Sequence, residues 1–209
     1  CDAAAQVDGI ELYAVYSRSA DTGNHFAERH HIPTVFTDYE QFLDSPIDAV
    51  YVASPNFAHC SQSIKAMEKK KHVLCEKPAA SNAAELQRMR AAAENGQAVL
   101  LEAMRSVYDP GFQAIEANLY RLGKIRSVSF RFCQYSSRYD NFRKGIIENA
   151  FRPELSNGAL MDIGVYCVHP LVRLFGMPEK IEGAFFNVTA TTEIYTVAYA
   201  LSLHDALPI

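Results

Sequence analysis

A lysine stands where a predicted strand meets a loop, in the tripeptide Glu76-Lys77-Pro78. It follows the apolar run 72–75 (His-Val-Leu-Cys) and precedes a helix-prone run at 79–94. In open α/β sheets, ligands bind at the carboxyl ends of the strands. Lys77 is therefore a candidate site residue, and the alternative is a surface lysine held in place by the proline that follows.

A second polar group lies on the otherwise apolar segment 160–168. Asp162 and Tyr166 have i, i+4 spacing, so a helix would put them on one face, with His169 near the same face. The alternative is a core tyrosine satisfied by Asp162 or by a backbone carbonyl. Because Pro170 removes the bond back to the carbonyl of Tyr166, we expect it to kink or end this helix.

The elements that must position these residues alternate between strand and helix. Strands are predicted at 10–16, 34–36, 49–53 (buried on both faces), 72–75 and 99–103. Helices are predicted at 21–31, 39–43, 55–71 and 83–95. Gly96 is expected to close the last of these helices as a C-terminal stop. This alternation predicts a parallel, doubly wound sheet. Beyond it, strands are predicted at 124–135 and 193–200.

The composition excludes several classes of partner. The 209 residues are 49% hydrophobic and 21% charged with net charge -4, which is ordinary for a soluble globular protein. No basic stripe favours nucleic acid, and no apolar stretch reaches membrane-spanning length. The five cysteines are scattered without a CxxC pair, which indicates reduced thiols and a cytoplasmic location. His25, His30 and His31 have no metal-site spacing with carboxylates, so we expect no metal.

Several motifs occur together in one order and spacing. They are Ala-Ser-Pro-Asn-Phe-Ala-His at 53–59, Lys-His-Val-Leu-Cys-Glu-Lys-Pro at 71–78, Glu-Ala-Met-Arg at 102–105, Phe-Arg at 151–152, and the segment 158–166. Through them the chain resembles the glucose-fructose oxidoreductase / inositol dehydrogenase / rhizopine-catabolism family (Gfo/Idh/MocA) over nearly all of residues 10–200.

The resemblance implies a domain organisation. It implies an N-terminal Rossmann dinucleotide-binding domain, placed at 1–105, and a C-terminal α/β domain with an open, mainly antiparallel sheet, placed at 106–200. That second sheet often forms dimer contacts, so a homodimer or higher homo-oligomer is expected. Residues 201–209 (Leu-Ser-Leu-His-Asp-Ala-Leu-Pro-Ile) resemble a translated sequencing-adaptor oligonucleotide and are expected to be an artefactual tail.

The chain departs from the family pattern at three points. It has Ser156-Asn157-Gly158 where the family places a run of three glycines. It has Tyr166 where many members carry histidine, which sides with a subgroup resembling the dimeric dihydrodiol dehydrogenases and NADP-dependent xylose dehydrogenases. It has His169 where Asp or Asn is common, which puts one polar substrate contact in question.

The resemblance implies that substrate lies between Lys77 and Tyr166, beside a nicotinamide ring. Oxidising an alcohol needs a hydride acceptor and a base for the hydroxyl proton. A phenol is a weak base at neutral pH since its ordinary pKa is about 10, and a nearby ammonium favours the phenolate. We expect Tyr166 as general acid/base, Lys77 as the charge that tunes and orients it, and Asp162 as a substrate hydroxyl partner.

Further residues are expected to contact the cofactor or the substrate. Ser17-Arg18 ends the first strand without a carboxylate, and Arg18 can pair with a 2′-phosphate, so NADP is favoured over NAD, which stays possible. The alternative for Arg18 is a solvated loop residue. The other expected cofactor contacts are Ser54, Pro55, Asn56, His59, Glu76, Lys77 and Arg105. Glu76 is expected to hold Lys77 or to contact the cofactor.

The expected substrate contacts are Arg152, Asp162 and His169. For Arg105 and Arg152, a structural salt bridge is an equal alternative, and His59 taken alone is more often a helix-face histidine than a ligand.

No GxGxxG run occurs in the 209 residues. In a dinucleotide-binding sheet that turn lies about 20 residues before the residue that contacts the ribose. We therefore expect the first strand and phosphate loop to precede residue 1, with 1–7 as the tail of the first helix. The polypeptide alone would then bind cofactor poorly and be inactive.

The resulting hypothesis is an NAD(P)-dependent oxidoreductase acting on a sugar, polyol or dihydrodiol. One alternative is a non-catalytic NADP-binding sensor on the same fold, which would not need both Lys77 and Tyr166. A lyase or isomerase that uses nicotinamide transiently is a further alternative.

Overall fold

The computed structural model describes residues 1–133 and 135–182. The chain divides into two compact units. The first unit comprises 1–52, 60–75 and 84–101, and the second comprises 53–59, 76–83 and the chain from 102 onward. The domain boundary expected near residue 105 stays a prediction.

Strands and helices alternate along the first part of the chain. Its strands are β1 (Ala14–Tyr16), β2 (Thr34–Phe36), β3 (Ala49–Val52), β4 (His72–Cys75) and β5 (Leu100–Glu102). Its helices are α1 (Ala20–His30), α2 (Tyr39–Asp44), α3 (Asn56–Glu68) and α4 (Ala83–Gly96). A single 3₁₀ turn, Ala4–Gln6, lies in the segment expected to be a helix tail. The predicted order of elements is therefore observed, with β1 shorter than the predicted 10–16.

The strand pairing is parallel where its direction is defined. β1 pairs with β2 with Val15 opposite Val35, and β3 pairs with β4 with Val52 opposite Cys75. A three-stranded sheet has the order β3-β4-β5, and β1 and β2 form a separate two-stranded sheet. These parallel pairs place the carboxyl ends of β3 and β4 side by side, so the loops at 53–55 and 76–82 leave the same sheet edge.

One expectation about β3 is wrong in detail. Its burial alternates: Val50 and Val52 are buried, whereas Tyr51 is 55% exposed. β4 shows the same alternation, with Val73 and Cys75 buried and Leu74 partly exposed. An apolar run cannot distinguish burial on one face from burial on two, because the second face depends on what else packs there.

Gly96 closes α4, as expected. It is the last residue of α4, and the residue with positive φ is its neighbour Gln97 (φ 53°). A Cβ built on Gly96 would lie 2.1 Å from the carbonyl oxygen of Met67, near the end of α3. Glycine is required here because two helix ends approach more closely than any side chain allows.

The second unit is helical over much of its described length. It contains α5 (Pro110–Asn118), α6 (Tyr139–Arg143), a π-helical turn (Leu160–Gly164) and α7 (Val165–Phe175). Short 3₁₀ turns lie at Arg105–Tyr108, Leu119–Leu122, Asn149–Phe151 and Pro153–Leu155. Pro170 does not end α7, which continues to Phe175.

The strand predicted at 124–135 is not formed by the described residues 124–133. The predicted strand 193–200 and the tail 201–209 lie outside the described residues, and the antiparallel sheet of the second domain stays a prediction. Within the described ranges, no helix is long and apolar enough to cross a membrane.

Candidate active site

Lys77 is held by the segment that carries Asp162. The loop after β4 directs its side chain inward, so that only 15% of that side chain is exposed. Its Nζ donates to Asp162 Oδ1 at 2.8 Å and to the Asp162 carbonyl oxygen at 2.7 Å. The same nitrogen lies over the Tyr166 ring, 4.9 Å from the centroid. The structure thus brings together the three residues that were predicted to be catalytic.

Asp162 does not lie in an ordinary α-helix. It belongs to the π-helical turn Leu160–Gly164, and α7, which carries Tyr166, begins only at Val165. The N–H of Asp162 donates to the carbonyl oxygen of Gly158 at 2.9 Å. Single π turns within helices are frequent at functional sites. The i, i+4 spacing correctly grouped the two side chains, but their relative orientation depends on this irregular turn.

Phe132 supports the ring of Tyr166 and was not singled out from the sequence. The two rings are stacked, with centroids 5.2 Å apart and planes inclined by 16°. Offset stacking of this kind favours one orientation of the phenol. The apolar positions of 124–135 were a signal, but nothing local connects Phe132 with Tyr166.

Glu102, at the end of β5, is a second residue that the sequence did not single out as functional. Its Oε1 accepts a hydrogen bond from the N–H of Ala79 at 2.9 Å, and its Oε2 lies 3.7 Å from His169 Nε2. The buried Nδ1 of His169 has no hydrogen-bond partner among the described residues. Glu102 therefore connects the turn that carries Lys77 with α7.

His59 connects the loops that follow β3 and β4. The residue is 1% exposed, and its Nδ1 and Nε2 lie 2.8 Å from the carbonyl oxygen of Pro78 and 2.7 Å from that of Ser54. Carbonyl oxygens only accept, so the ring nitrogen that carries the N–H donates to the carbonyl oxygen that it faces. The ring nitrogens are thus directed at the backbone on either side, which is a positioning arrangement.

The remaining predicted residues have varied environments. The Glu76 carboxylate accepts from the backbone N–H of Lys77 at 3.1 Å, and the Nδ2 of Asn56, one residue after Pro55, donates to the segment at 156–157. Arg105 and Arg152 are exposed, and neither forms an ion pair within the described residues. Ser17 and Arg18 belong to the first unit, where the N–H of Ser17 donates to the carbonyl oxygen of Phe36 and Arg18 is exposed.

Two observations bear on a nucleotide cofactor and on metals. The Oγ of Ser54 is buried at the carboxyl end of β3 and has no hydrogen-bond partner among the described residues. Within residues 1–133 and 135–182, no group of His, Cys, Asp and Glu could hold a metal ion. A buried hydroxyl usually has a hydrogen-bond partner, and a ligand bound at this strand end would supply one.

Comparison with protein families divides the chain into two matches. Residues 2–103 match the profile described as "Oxidoreductase family, NAD-binding Rossmann fold". Residues 114–205 match the profile described as "GFO/IDH/MocA C-terminal domain". Together the matches cover most of the chain, and they confirm the Rossmann-like fold with a C-terminal domain of the same family.

Two curated relatives illustrate the sequence similarity. The scyllo-inositol 2-dehydrogenase (NADP(+)) IolU of Bacillus subtilis (strain 168) is 47% identical over 182 residues, which is 87% of this chain and 56% of the relative. The trans-1,2-dihydrobenzene-1,2-diol dehydrogenase of Xenopus tropicalis is 31% identical over 187 residues, which is 88% of this chain and 55% of the relative. The chain spans about half the length of the curated relatives it matches.

Solved structures support the fold. A 3-ketoreductase from Actinomadura kijaniata in complex with NADP and TDP-benzene superposes with a TM-score of 0.73 at 24% identity, covering 88% of this chain and 54% of that one. A levoglucosan dehydrogenase in complex with NADH and levoglucosan gives a TM-score of 0.75 at 20% identity. The match covers 85% of this chain and 48% of that one. At these identities the likeness concerns the fold alone.

Proposed function

Because the chain belongs to the Gfo/Idh/MocA oxidoreductase family, we propose that the protein transfers hydride between a nicotinamide cofactor and a hydroxyl-bearing carbon. The substrate class is a sugar, a cyclic polyol or a dihydrodiol. The names of the relatives support this class, since one is an inositol dehydrogenase and another a dihydrodiol dehydrogenase.

The observation that carries the proposal is the arrangement of Lys77, Asp162 and Tyr166. An ammonium that is mostly withdrawn from solvent lies over a phenol ring and is bonded twice to one residue. A structural ion pair would not need the phenol. A proton-transfer site needs both groups close together and held by neighbours.

The residues fit a nicotinamide dinucleotide in two respects. Ser54 offers a buried hydroxyl without a partner among the described residues, at the strand end where such cofactors bind. Arg18 offers an exposed guanidinium next to Ser17, with no carboxylate at that position to repel a 2′-phosphate. The cofactor, when bound, supplies the hydride acceptor. We propose NADP as the preferred form, in keeping with the NADP(+) in the name of the inositol dehydrogenase relative.

The chain's own residues would handle the proton. As the carbinol C–H bond breaks and its electron pair leaves as hydride, the O–H proton passes to the phenolate oxygen of Tyr166, and a C=O bond forms. The Lys77 ammonium stabilises the negative charge on the oxygens that share this proton. Asp162 fixes the direction of the Lys77 ammonium through its carbonyl and carboxylate oxygens. Phe132 stacks on the phenol ring of Tyr166 and fixes its orientation. In the reverse direction Tyr166 returns the proton.

Asp162, Arg152 and His169 remain our proposed substrate contacts, and Asn56, His59, Glu76 and Arg105 our proposed cofactor-side residues. For His59 the proposal is indirect, because its ring nitrogens face the carbonyl oxygens of Ser54 and Pro78. A homodimer and a cytoplasmic location are further proposals, which rest on the family resemblance and on the scattered cysteines.

The test is a substrate screen with the full-length protein. Formation of NADPH from NADP, or of NADH from NAD, is followed with inositols, aldoses and trans-dihydrodiols. We expect NADP reduction with at least one class, at a rate that Tyr166→Phe lowers by about 10²–10⁴ under the same conditions. Tight NADP binding without turnover of any class would favour a sensor and overturn the proposal, as would failure to bind either dinucleotide.

A further inference from the structure

Ser156, just before the π-helical turn, adopts a backbone conformation that serine disfavours. Ser156 has φ 59°, in the left-handed region that favours glycine, and Gly158 has φ 122°. A serine in this conformation persists only where the surroundings determine it. The contacts of Ser156 and of its neighbour Asn157 should therefore explain why this conformation is kept.

Asn56 binds both residues from the start of α3. Its Nδ2 donates to the carbonyl oxygen of Ser156 at 3.0 Å and to Oδ1 of Asn157 at 2.7 Å. The two amide hydrogens are thus directed to two successive residues. Such a fork recognises one backbone conformation, because both acceptors must face the same way.

Two more bonds complete the arrangement. The Oγ of Ser81 donates to the Oγ of Ser156 at 2.7 Å, and the Nδ2 of Asn157 donates to the carbonyl oxygen of Asn149 at 2.8 Å. Glycines at 156 and 157 could make none of the side-chain bonds.

The bonds connect the same two segments that carry Lys77 and Asp162. Lys77 and Ser81 lie in the segment 76–83, and Asp162 and Ser156 lie in the segment 156–162. One cross-link is Lys77 to Asp162 and the other is Ser81 to Ser156. Asp162 is also tied back to its own loop, through its N–H bond to the carbonyl oxygen of Gly158. Two cross-links between two short segments restrict their sliding and their rotation, whereas one leaves a hinge.

We propose that Ser156 and Asn157, held by Asn56 and Ser81, form a latch that positions Asp162 against Lys77. These are positioning residues for the reaction proposed above, and the inference rests on that function only for its catalytic consequence. The latch holds the loop by hydrogen bonds, so Asp162 is in place before substrate arrives.

Hydrogen exchange in the absence of cofactor and substrate tests the latch itself. Asn157→Gly removes two side-chain bonds, and Ser81→Ala removes one without altering the loop's own sequence. We expect amides in 156–164 to exchange about five-fold faster or more in each variant, since one lost bond shifts a local opening by about that factor. Asn157→Asp keeps an acceptor for Asn56, so it should raise these exchange rates less than Asn157→Gly does. Ser137→Ala, at an exposed turn serine, is the matched control, and unchanged exchange in α1 shows that the fold is intact.

Kinetics of the full-length protein test the catalytic consequence. The latch variants should lower kcat while leaving the KM for the dinucleotide within about two-fold, with Asn157→Asp retaining more turnover than Asn157→Gly. Unchanged exchange at 156–164 in both Asn157→Gly and Ser81→Ala would overturn the latch whatever the activity. Faster exchange with unaltered kcat would overturn its positioning role. If the wild type reduces no dinucleotide, the proposed function fails, while the exchange result still decides the latch.

Discussion

The Nζ of Lys77 donates to two oxygens of one residue, the carbonyl oxygen of Asp162 at 2.7 Å and its Oδ1 at 2.8 Å. Lys77 is the better shielded of the two residues, since 15% of its side chain is exposed and 40% of the Asp162 side chain is exposed. Two acceptors on one residue fix the direction of the ammonium as well as its distance. That direction places the charge over the ring of Tyr166.

Replacing Lys77 by methionine should remove most of the turnover. Methionine keeps an unbranched apolar chain but offers no donor to Asp162 and no charge beside Tyr166. Loss of one preorganised donor typically lowers kcat by about 10²–10³. Lys65→Met, which breaks a solvent-exposed ion pair with Glu40 at 2.7 Å, is the matched control. Equal kcat values for the two variants would contradict the assignment of Lys77.

Tyr166→Phe should separate the role of the hydroxyl from that of the ring. Phenylalanine keeps the stacking on Phe132, so we expect the fold and the dinucleotide Kd to be nearly unchanged. Turnover should fall by about 10²–10⁴, the usual contribution of a general acid or base. Tyr120→Phe makes the same chemical change at a residue that is 80% exposed and should have no effect. Full turnover in Tyr166→Phe would refute the assignment.

Arg18→Ala should reduce the preference for NADP. A guanidinium paired with a 2′-phosphate makes charged hydrogen bonds worth about 1.5–3 kcal/mol, so NADP affinity should fall by about 10–100-fold. Affinity for NAD, which has no phosphate there, should change little. Titration of both dinucleotides against the full-length protein measures the ratio. Arg90→Ala, at an exposed arginine of α4, is the control. A parallel loss of NAD affinity would indicate a general effect on folding.

Glu102 should matter for stability through the N–H of Ala79. Glu102→Ala removes the carboxylate that accepts this bond at 2.9 Å, and we expect a loss of about 1.5–3 kcal/mol in the free energy of unfolding. Glu102→Gln keeps an acceptor oxygen and should lose less. Glu116→Ala, which breaks a surface ion pair with Arg173 at 2.8 Å, should cost less than about 1 kcal/mol. Urea unfolding measures these losses. Equal losses of unfolding free energy in Glu102→Ala and Glu116→Ala would contradict the role of Glu102 in linking the turn at Ala79 to α7.

Gly96→Ala should destabilise the protein, although replacing a glycine within a helix by alanine usually stabilises it. Alanine ordinarily stabilises a helical position by about 0.5–1 kcal/mol. Here the new Cβ would lie 2.1 Å from the carbonyl oxygen of Met67, and backbone has to move. We expect a net loss of about 1–3 kcal/mol, the range of overpacked sites, by thermal or urea unfolding. Asn95→Ala, at the preceding exposed position, should be neutral or stabilising. A stabilised Gly96→Ala would show that the two helix ends are not in close contact.

The order of strands and helices could be predicted from the amino-acid sequence alone. The strands at 34–36 and 72–75 were predicted with the bounds that the structure shows, because short apolar runs between turn residues specify strands locally. The sequence also selected Lys77, Asp162 and Tyr166, since a lysine at a strand end and a polar stripe on an apolar segment are both visible in one dimension. The family motifs added the expectation that these two signals belong to one site.

The contacts that hold these residues could not be predicted from the sequence and are visible only in the folded chain. Phe132 against Tyr166, Glu102 between Ala79 and His169, and His59 between two loops are contacts between residues distant in sequence. Position 96 likewise requires glycine because of a distant segment, since the end of α3 approaches it closely. Local patterns report the preferences of neighbouring residues, whereas such contacts depend on where the folded backbone brings separate segments together. The i, i+4 spacing therefore grouped the candidate residues Asp162 and Tyr166, but no local pattern indicated the contacts made by Phe132 and Glu102.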